Sequence, residues 1–217
     1  MDLEFLDWGL IDYEQALQQQ LNLVEQVAEK NLPGFLIFCS HPAIITLGRA
    51  TQPGDVFGWQ GKVVEISRGG RATYHGPSQL VIYPILNLTQ ERKGRAPREI
   101  AGYLRVLENS IVETLKDYGI SAEGKSLQKK PDSPSETDET GVWVGRQKVA
   151  SLGIAVKKWV TYHGAALNVE YDPKAFTGMK PCGFTTETMV SMEQLLNQEI
   201  DREKLAKILK SRLLLNL

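Results

Sequence analysis

Three observations predict an α+β fold with a mostly antiparallel or mixed sheet flanked by helices. Strand-like runs come in clusters instead of alternating one by one with helices. Two stretches of strong helical periodicity, 13–29 and 100–115, stand beside those clusters. No GxGxxG leads from a strand into a helix and no GxxxxGK[ST] occurs, which weighs against a dinucleotide-binding sheet or a phosphate-binding P-loop. At 217 residues the chain can bury a substantial core. It is read as one domain, 1–217, with a polar loop insert at about 125–140.

The elements follow in order. Residues 4–10 read as a short strand. Asp12, with Gln15 three residues on, resembles a capping box, and Leu17, Leu21, Val24 and Ala28 then recur at helical spacing. Pro33-Gly34 ends that helix. GFLIFCS (34–40), AIITLG (43–48) and KVVEIS (62–67) read as strands. A long loop, 67–80, separates the last of these from LVIYPILNL (80–88). Ile100, Leu104, Leu107, Ile111 and Leu115 mark a second helix, with Pro97 near its start. KSLQKKPDSPSETDET (125–140) holds one clear apolar residue, Leu127, and reads as a solvated insert. Residues 141–156 suggest a hairpin turning near Gly145, 159–171 a further strand, and 192–215 one or two terminal helices.

Composition narrows the function. The formal net charge is -1, so bulk charge offers nothing to nucleic acid. MDLEFLDWGLIDYEQ lacks the apolar core of a signal peptide, and runs such as FLIF and LVIY are too short to cross a bilayer. Two cysteines, Cys39 and Cys182, make a poor disulfide framework, so free thiols and a cytoplasmic location are expected. Three scattered histidines without CxxC or HxxxH argue against a structural metal.

Chemistry concentrates in four segments. SRGGRATYHGPSQL (67–80) carries three glycines, two arginines and a histidine, which let backbone approach a ligand and supply donors to it. KVASLG (148–153) sets Lys148 ahead of apolar residues in a strand. Desolvation there favours the neutral amine, which can act as a base, although a water-facing edge lysine fits the same pattern. YHGAALN (162–168) puts His163 before glycine, as His75 is in the first segment. MKPCGF (179–184) places Cys182 between proline and glycine, in a loop expected to be more exposed than the apolar strand around Cys39. A thiol in that setting is a candidate nucleophile, or a side chain that packs inertly under the loop. There is no GxSxG elbow, and few carboxylates accompany these segments.

RGGRATYHGPSQLVIYP, GRQKVASLGI, TYHGAALNV and KPCGF, in that order, resemble the lipoyl(octanoyl) transferases of the biotin/lipoate protein ligase superfamily. The resemblance runs from about His41 to Leu195. It implies the α+β catalytic domain of that superfamily, and ATP-independent transfer of octanoyl from acyl carrier protein to a lysine of lipoyl domains, those of 2-oxoacid dehydrogenase acyltransferase subunits and of the glycine-cleavage H protein. It implies that Cys182 forms an acyl thioester and that Lys148 is the acid/base, with neither cofactor nor metal. It assigns the acyl group and its thioester to Arg68, Gly69, Gly70, Arg71, Ala72, Thr73, Tyr74 and His75, to Ser151, Leu152 and Gly153, and to Gly164, Ala165 and Ala166. A monomer is the expected state, and Arg49, Arg146, Lys157 and Lys158 are candidate contacts for the acidic carrier. Two positions depart from the family pattern: Ser78 replaces glycine in HGPGQ, and Ala165 replaces leucine in HGLA. If the Ala165 side chain faces the acyl tail, it widens the pocket.

Overall fold

The computed structural model describes residues 3–92, 95–126 and 138–217. Most of the 125–140 segment thus lies outside the described residues. Ten strands and four helices are seen among the described residues. In chain order they are β1 (Glu4–Leu10), α1 (Tyr13–Lys30), β2 (Gly34–Ser40), β3 (Ile44–Leu47), β4 (Lys62–Glu65), β5 (Thr73–His75), β6 (Gln79–Leu86), α2 (Ile100–Asp117), β7 (Glu123–Gly124), β8 (Gly141–Val144), β9 (Gln147–Lys157), β10 (Val160–Asn168), α3 (Met192–Leu196) and α4 (Arg202–Asn216).

Seven strands form one sheet in the order β1-β2-β6-β10-β9-β8-β7. Only β1 and β2 run parallel in it; the other pairs are antiparallel. The second sheet, β4-β3-β5, was not expected. It draws Thr73–His75 out of the stretch read as loop and pairs it with β3. β3 and β4 fall within the runs read as strands, but the three residues of β5, between glycine-rich stretches, leave too little alternation to be read as one.

Alternation along the central strands supplies two apolar faces. One packs against α2 and α4, where Leu36, Phe38, Ile82 and Leu167 meet Leu107, Ile111, Leu205 and Leu209. The other packs against α1, where Ile37, Val81 and Tyr83 meet Ala16, Val24 and Val27. α1 starts at Asp12, whose carboxylate accepts the Glu14 and Gln15 N–H groups, and stops at Asn31 in the left-handed region. A third cluster of Ile45, Ala72, Tyr74, Phe176 and Met179 joins the small sheet to the segment that carries Cys182.

Candidate active site

Cys182 lies in a short 3₁₀ turn, Pro181–Gly183, with φ 55° and ψ 21°. A non-glycine residue in the left-handed region is strained by about 1–2 kcal/mol. The turn is held from several sides. The Cys182 N–H donates to the Ala72 carbonyl (2.8 Å), the Lys180 N–H to the Asp55 carbonyl (2.7 Å) and the Phe184 N–H to the Pro181 carbonyl (2.9 Å). Contrary to the expectation of exposure, Cys182 is 6% exposed against 3% for Cys39. The loop folds back on β5 through the Ala72 bond, and both thiols are free.

Lys148 is fully buried, at 0% exposure, and is no edge-strand lysine facing water. β9 lies between β10 and β8. The β8–β9 register slips so that Val142 faces Ala150 while Trp143 faces Lys148. Such a bulge re-aims a side chain. Lys148 Nζ donates to the Asp138 carbonyl (2.8 Å) and lies over the rings of Trp143 and Phe184, at 5.6 and 5.9 Å. Asp138 also donates its N–H to the Cys182 carbonyl (2.8 Å). One residue therefore ties the buried lysine to the Cys182 turn. Asp138 sits at the end of the segment read as solvated, and because its backbone does the tying, nothing in its side-chain identity marked it.

Cys182 opens on a cavity whose floor is the α1-side face of β9 and β10. Directly opposed partners point to the same face, so Ser151 with Ala166, and Gly153 with Gly164, make a floor of small residues. Ser151 Oγ stands 4.0 Å from Cys182 Sγ. Arg68, Thr73, His75, Leu152 and Ala165, all expected from sequence, also line the cavity, and so do Tyr13, Tyr83, Asp138 and His163, which the resemblance had not assigned. The free space at its centre is about 30 Å³, enough for a water-sized group.

Other expected residues lie elsewhere. Gly69 donates to the Ile154 carbonyl (3.0 Å), and the Gly70 carbonyl accepts from Ala50 (3.0 Å). Ala72 holds Cys182 as described, Tyr74 packs in the third cluster, and Arg71 pairs with Asp55. Ala165 borders the cavity, but it stands opposite Ile82 and Leu152 and packs with them in the core on the α2–α4 side. Its side chain points away from the small-residue floor, so the condition for a wider pocket is not met. Of the candidate carrier contacts, Lys157 and Lys158 both pair with Glu25, whose carboxyl they hold down to about 2.

Arg68 is held by the Thr46 carbonyl and hydroxyl and by the carbonyls of Gly69 and Arg71, each at 2.9 Å. It sets a fixed positive charge within electrostatic reach of Cys182 and Tyr13. Its Nε, His75 Nδ1 and His163 Nε2 are buried at the cavity without a hydrogen-bond partner. Buried polar atoms are almost always paired, so three together mark a place where a polar ligand group would find partners.

All three histidines gather behind this wall. His41 bonds the Tyr83 hydroxyl and the Ile11 carbonyl at 2.8 Å each, and Tyr13 stacks on His75 and approaches His163 Nδ1 at 3.4 Å. Burial lowers the pKa of each. His75 is lowered further by His41 and Arg68, and His163, also repelled by Arg68, falls to about 3. The unfolded chain takes up these protons below about pH 6.5, whereas the folded chain does so only at lower pH. The unfolded state then binds more protons, and as pH falls from about 6.5 folding loses up to roughly 1.4 kcal/mol per pH unit for each histidine, for as long as its folded imidazole stays neutral. The urea midpoint is expected to drop steeply between pH 7 and pH 5. An unchanged midpoint over that range would show that the imidazoles are not held neutral.

Residues 12–214 match the family described as the lipoyl protein ligase A/B catalytic domain. The chain is 57% identical over 214 residues to the octanoyltransferase of Bdellovibrio bacteriovorus, covering 98% of each. It is 37% identical over 198 residues to the octanoyltransferase of Syntrophotalea carbinolica, covering 91% of this chain and 86% of that one. Among solved structures it is similar to a putative lipoate protein ligase from T. acidophilum, with a TM-score of 0.67 over 98% of this chain and 83% of that one. At 16% identity this is a likeness of fold, and it agrees with the expected mixed sheet flanked by helices.

Proposed function

The chain belongs to the lipoyl protein ligase A/B catalytic-domain family, and from that premise we propose that it is a cytoplasmic octanoyltransferase using a Cys182–Lys148 pair. The donor is octanoyl-acyl carrier protein. The acceptors are lysines of lipoyl domains, in 2-oxoacid dehydrogenase acyltransferase subunits and the glycine-cleavage H protein. The observation that carries this reading is the single residue, Asp138, hydrogen-bonded to both Lys148 and the Cys182 turn beside a cavity with unpaired donors. None of the helices among the described residues is long and apolar enough to cross a membrane, which is compatible with the proposed location.

In this mechanism Lys148 takes the Cys182 thiol proton and the thiolate attacks the donor carbonyl carbon. Negative charge moves to the carbonyl oxygen, and Arg68 and the neutral imidazole of His75, which line the cavity, stabilise it in this reading. The carbon–sulfur bond to the carrier breaks, and the carrier thiolate recovers the proton. The uncharged acceptor amine then attacks acyl-Cys182. The amide bond forms, the Cys182 thiolate departs, and Lys148 accepts the amine proton. The donor thioester is already activated, so no nucleotide is consumed. The rival is an ATP-dependent ligase on the same fold, which needs a lysine but no nucleophilic cysteine.

The test is intact mass spectrometry on protein mixed with octanoyl-acyl carrier protein and no ATP. A gain of one octanoyl group, discharged when a lipoyl domain is added, is the expected result. Acylation of the domain only with free octanoate and ATP, and no adduct on the enzyme, would establish the ligase instead.

A further inference from the structure

We propose that the buried Asp55–Arg71 ion pair is a positioning element for the nucleophile, an inference that rests on the reading of Cys182 as the acyl acceptor. Asp55 is 1% exposed and lies in a stretch that the sequence left without a role. Its carboxylate receives Arg71 through both Nε (3.0 Å) and Nη2, and also accepts the Gln52 N–H (2.9 Å). This two-pronged geometry fixes direction as well as distance, which a lysine cannot reproduce.

What the pair joins gives it a role. The backbone carbonyl of Asp55 accepts the Lys180 N–H at 2.7 Å, two residues before Cys182. The residue after Arg71 is Ala72, whose carbonyl accepts the Cys182 N–H at 2.8 Å. The Arg71 carbonyl accepts Arg68 Nη1 at 2.9 Å. Asp55 thus grips the start of the nucleophile turn, Arg71 adjoins the carbonyl that grips Cys182 itself, and the ion pair locks the two grips together. Pro181, between them, has no N–H of its own to add. The turn holds Cys182 at φ 55°, a conformation that persists only where the surroundings over-determine it. Arg71 therefore acts through the backbone of the turn, and the cavity is lined by Arg68 instead.

The inference is tested on Asp55→Asn, Arg71→Lys and the double variant. The mild Arg71→Lys keeps the charge and removes the fork. Iodoacetamide alkylation of Cys182 is followed across pH 6 to 10, beside single-turnover acylation by octanoyl-acyl carrier protein. Each single variant is expected to slow acylation by about 10–100-fold, the effect of misplacing a reacting atom by about 1 Å. The alkylation profile should move to higher pH as Cys182 loses its alignment with Lys148, a displacement that lower stability alone does not produce. The double variant should be no worse than the poorer single one, because one pair is lost in each case. Folded single variants with a wild-type alkylation profile, or fully additive losses in the double variant, would overturn the proposal. Alkylation needs no acyl donor, so it reads the pair's effect even where the donor is misidentified. Absence of a wild-type acyl adduct, by contrast, bears on the proposed function.

Discussion

Cys182→Ala is expected to abolish both the octanoyl adduct and octanoyl transfer, a loss of at least about 10⁴-fold of the kind that follows removal of a nucleophile. The same site yields a stability result that depends on its backbone conformation. Cys182 holds φ 55° in a turn fixed by the Ala72, Asp138 and Pro181 bonds. Alanine carries the same left-handed penalty, and glycine does not. Cys182→Gly should therefore be more stable than Cys182→Ala by about 1 kcal/mol, after allowing for glycine's greater unfolded-state entropy. The catalytic result is read by intact mass and the stability result by urea denaturation. Transfer surviving in Cys182→Ala would sink the covalent route. A glycine variant less stable than the alanine one would mean that the turn relaxes out of the left-handed region.

The parts of the fold legible from sequence are those in which long-period patterning and local chemistry agree. α1 runs Tyr13–Lys30 where 13–29 was expected, because a strong cap and a regular apolar stripe specify the same helix. The hairpin at Gly145 was equally clear, with a glycine at φ 59° between two strands. The pairing of the small second sheet was not, although its β3 and β4 fall in runs read as strands. Its strands are three or four residues long and owe their existence to pairing across distant sequence. The site divides the same way. The side chains proposed to carry chemistry, Cys182, Lys148, Arg68 and His75, are visible as residue types in unusual company. Asp138 and Asp55 are not, because much of what they do passes through backbone groups that any residue possesses. The burial of Cys182 was misread for a related reason. A proline–glycine setting marks a turn, but what the turn folds against is decided by β5, some 110 positions earlier.

Lys148→Met is expected to slow acylation at neutral pH by about 10²–10⁴-fold, the usual contribution of a positioned acid/base. It should do so without destabilising the chain. A fully buried lysine head group meets only one carbonyl and two aromatic rings, which poorly repay its lost hydration, and methionine of similar length fills the space without a polar group. The melting temperature is therefore expected to stay level or rise as activity falls, the relation that marks a group kept for function rather than for folding. A structural peg would behave in the opposite sense. If Lys148 only anchored Asp138, methionine would lower the melting temperature, and arginine, which can donate to the same carbonyl, would restore both stability and rate. The pH dependence separates the two further. A base is dispensable once solution conditions ionise thiols, so the acylation deficit of Lys148→Met should narrow as pH rises past about 8.5. A deficit that is constant across pH, in a variant as stable as wild type, would remove proton transfer from the role of Lys148 and leave it only the fixed charge beside the nucleophile turn.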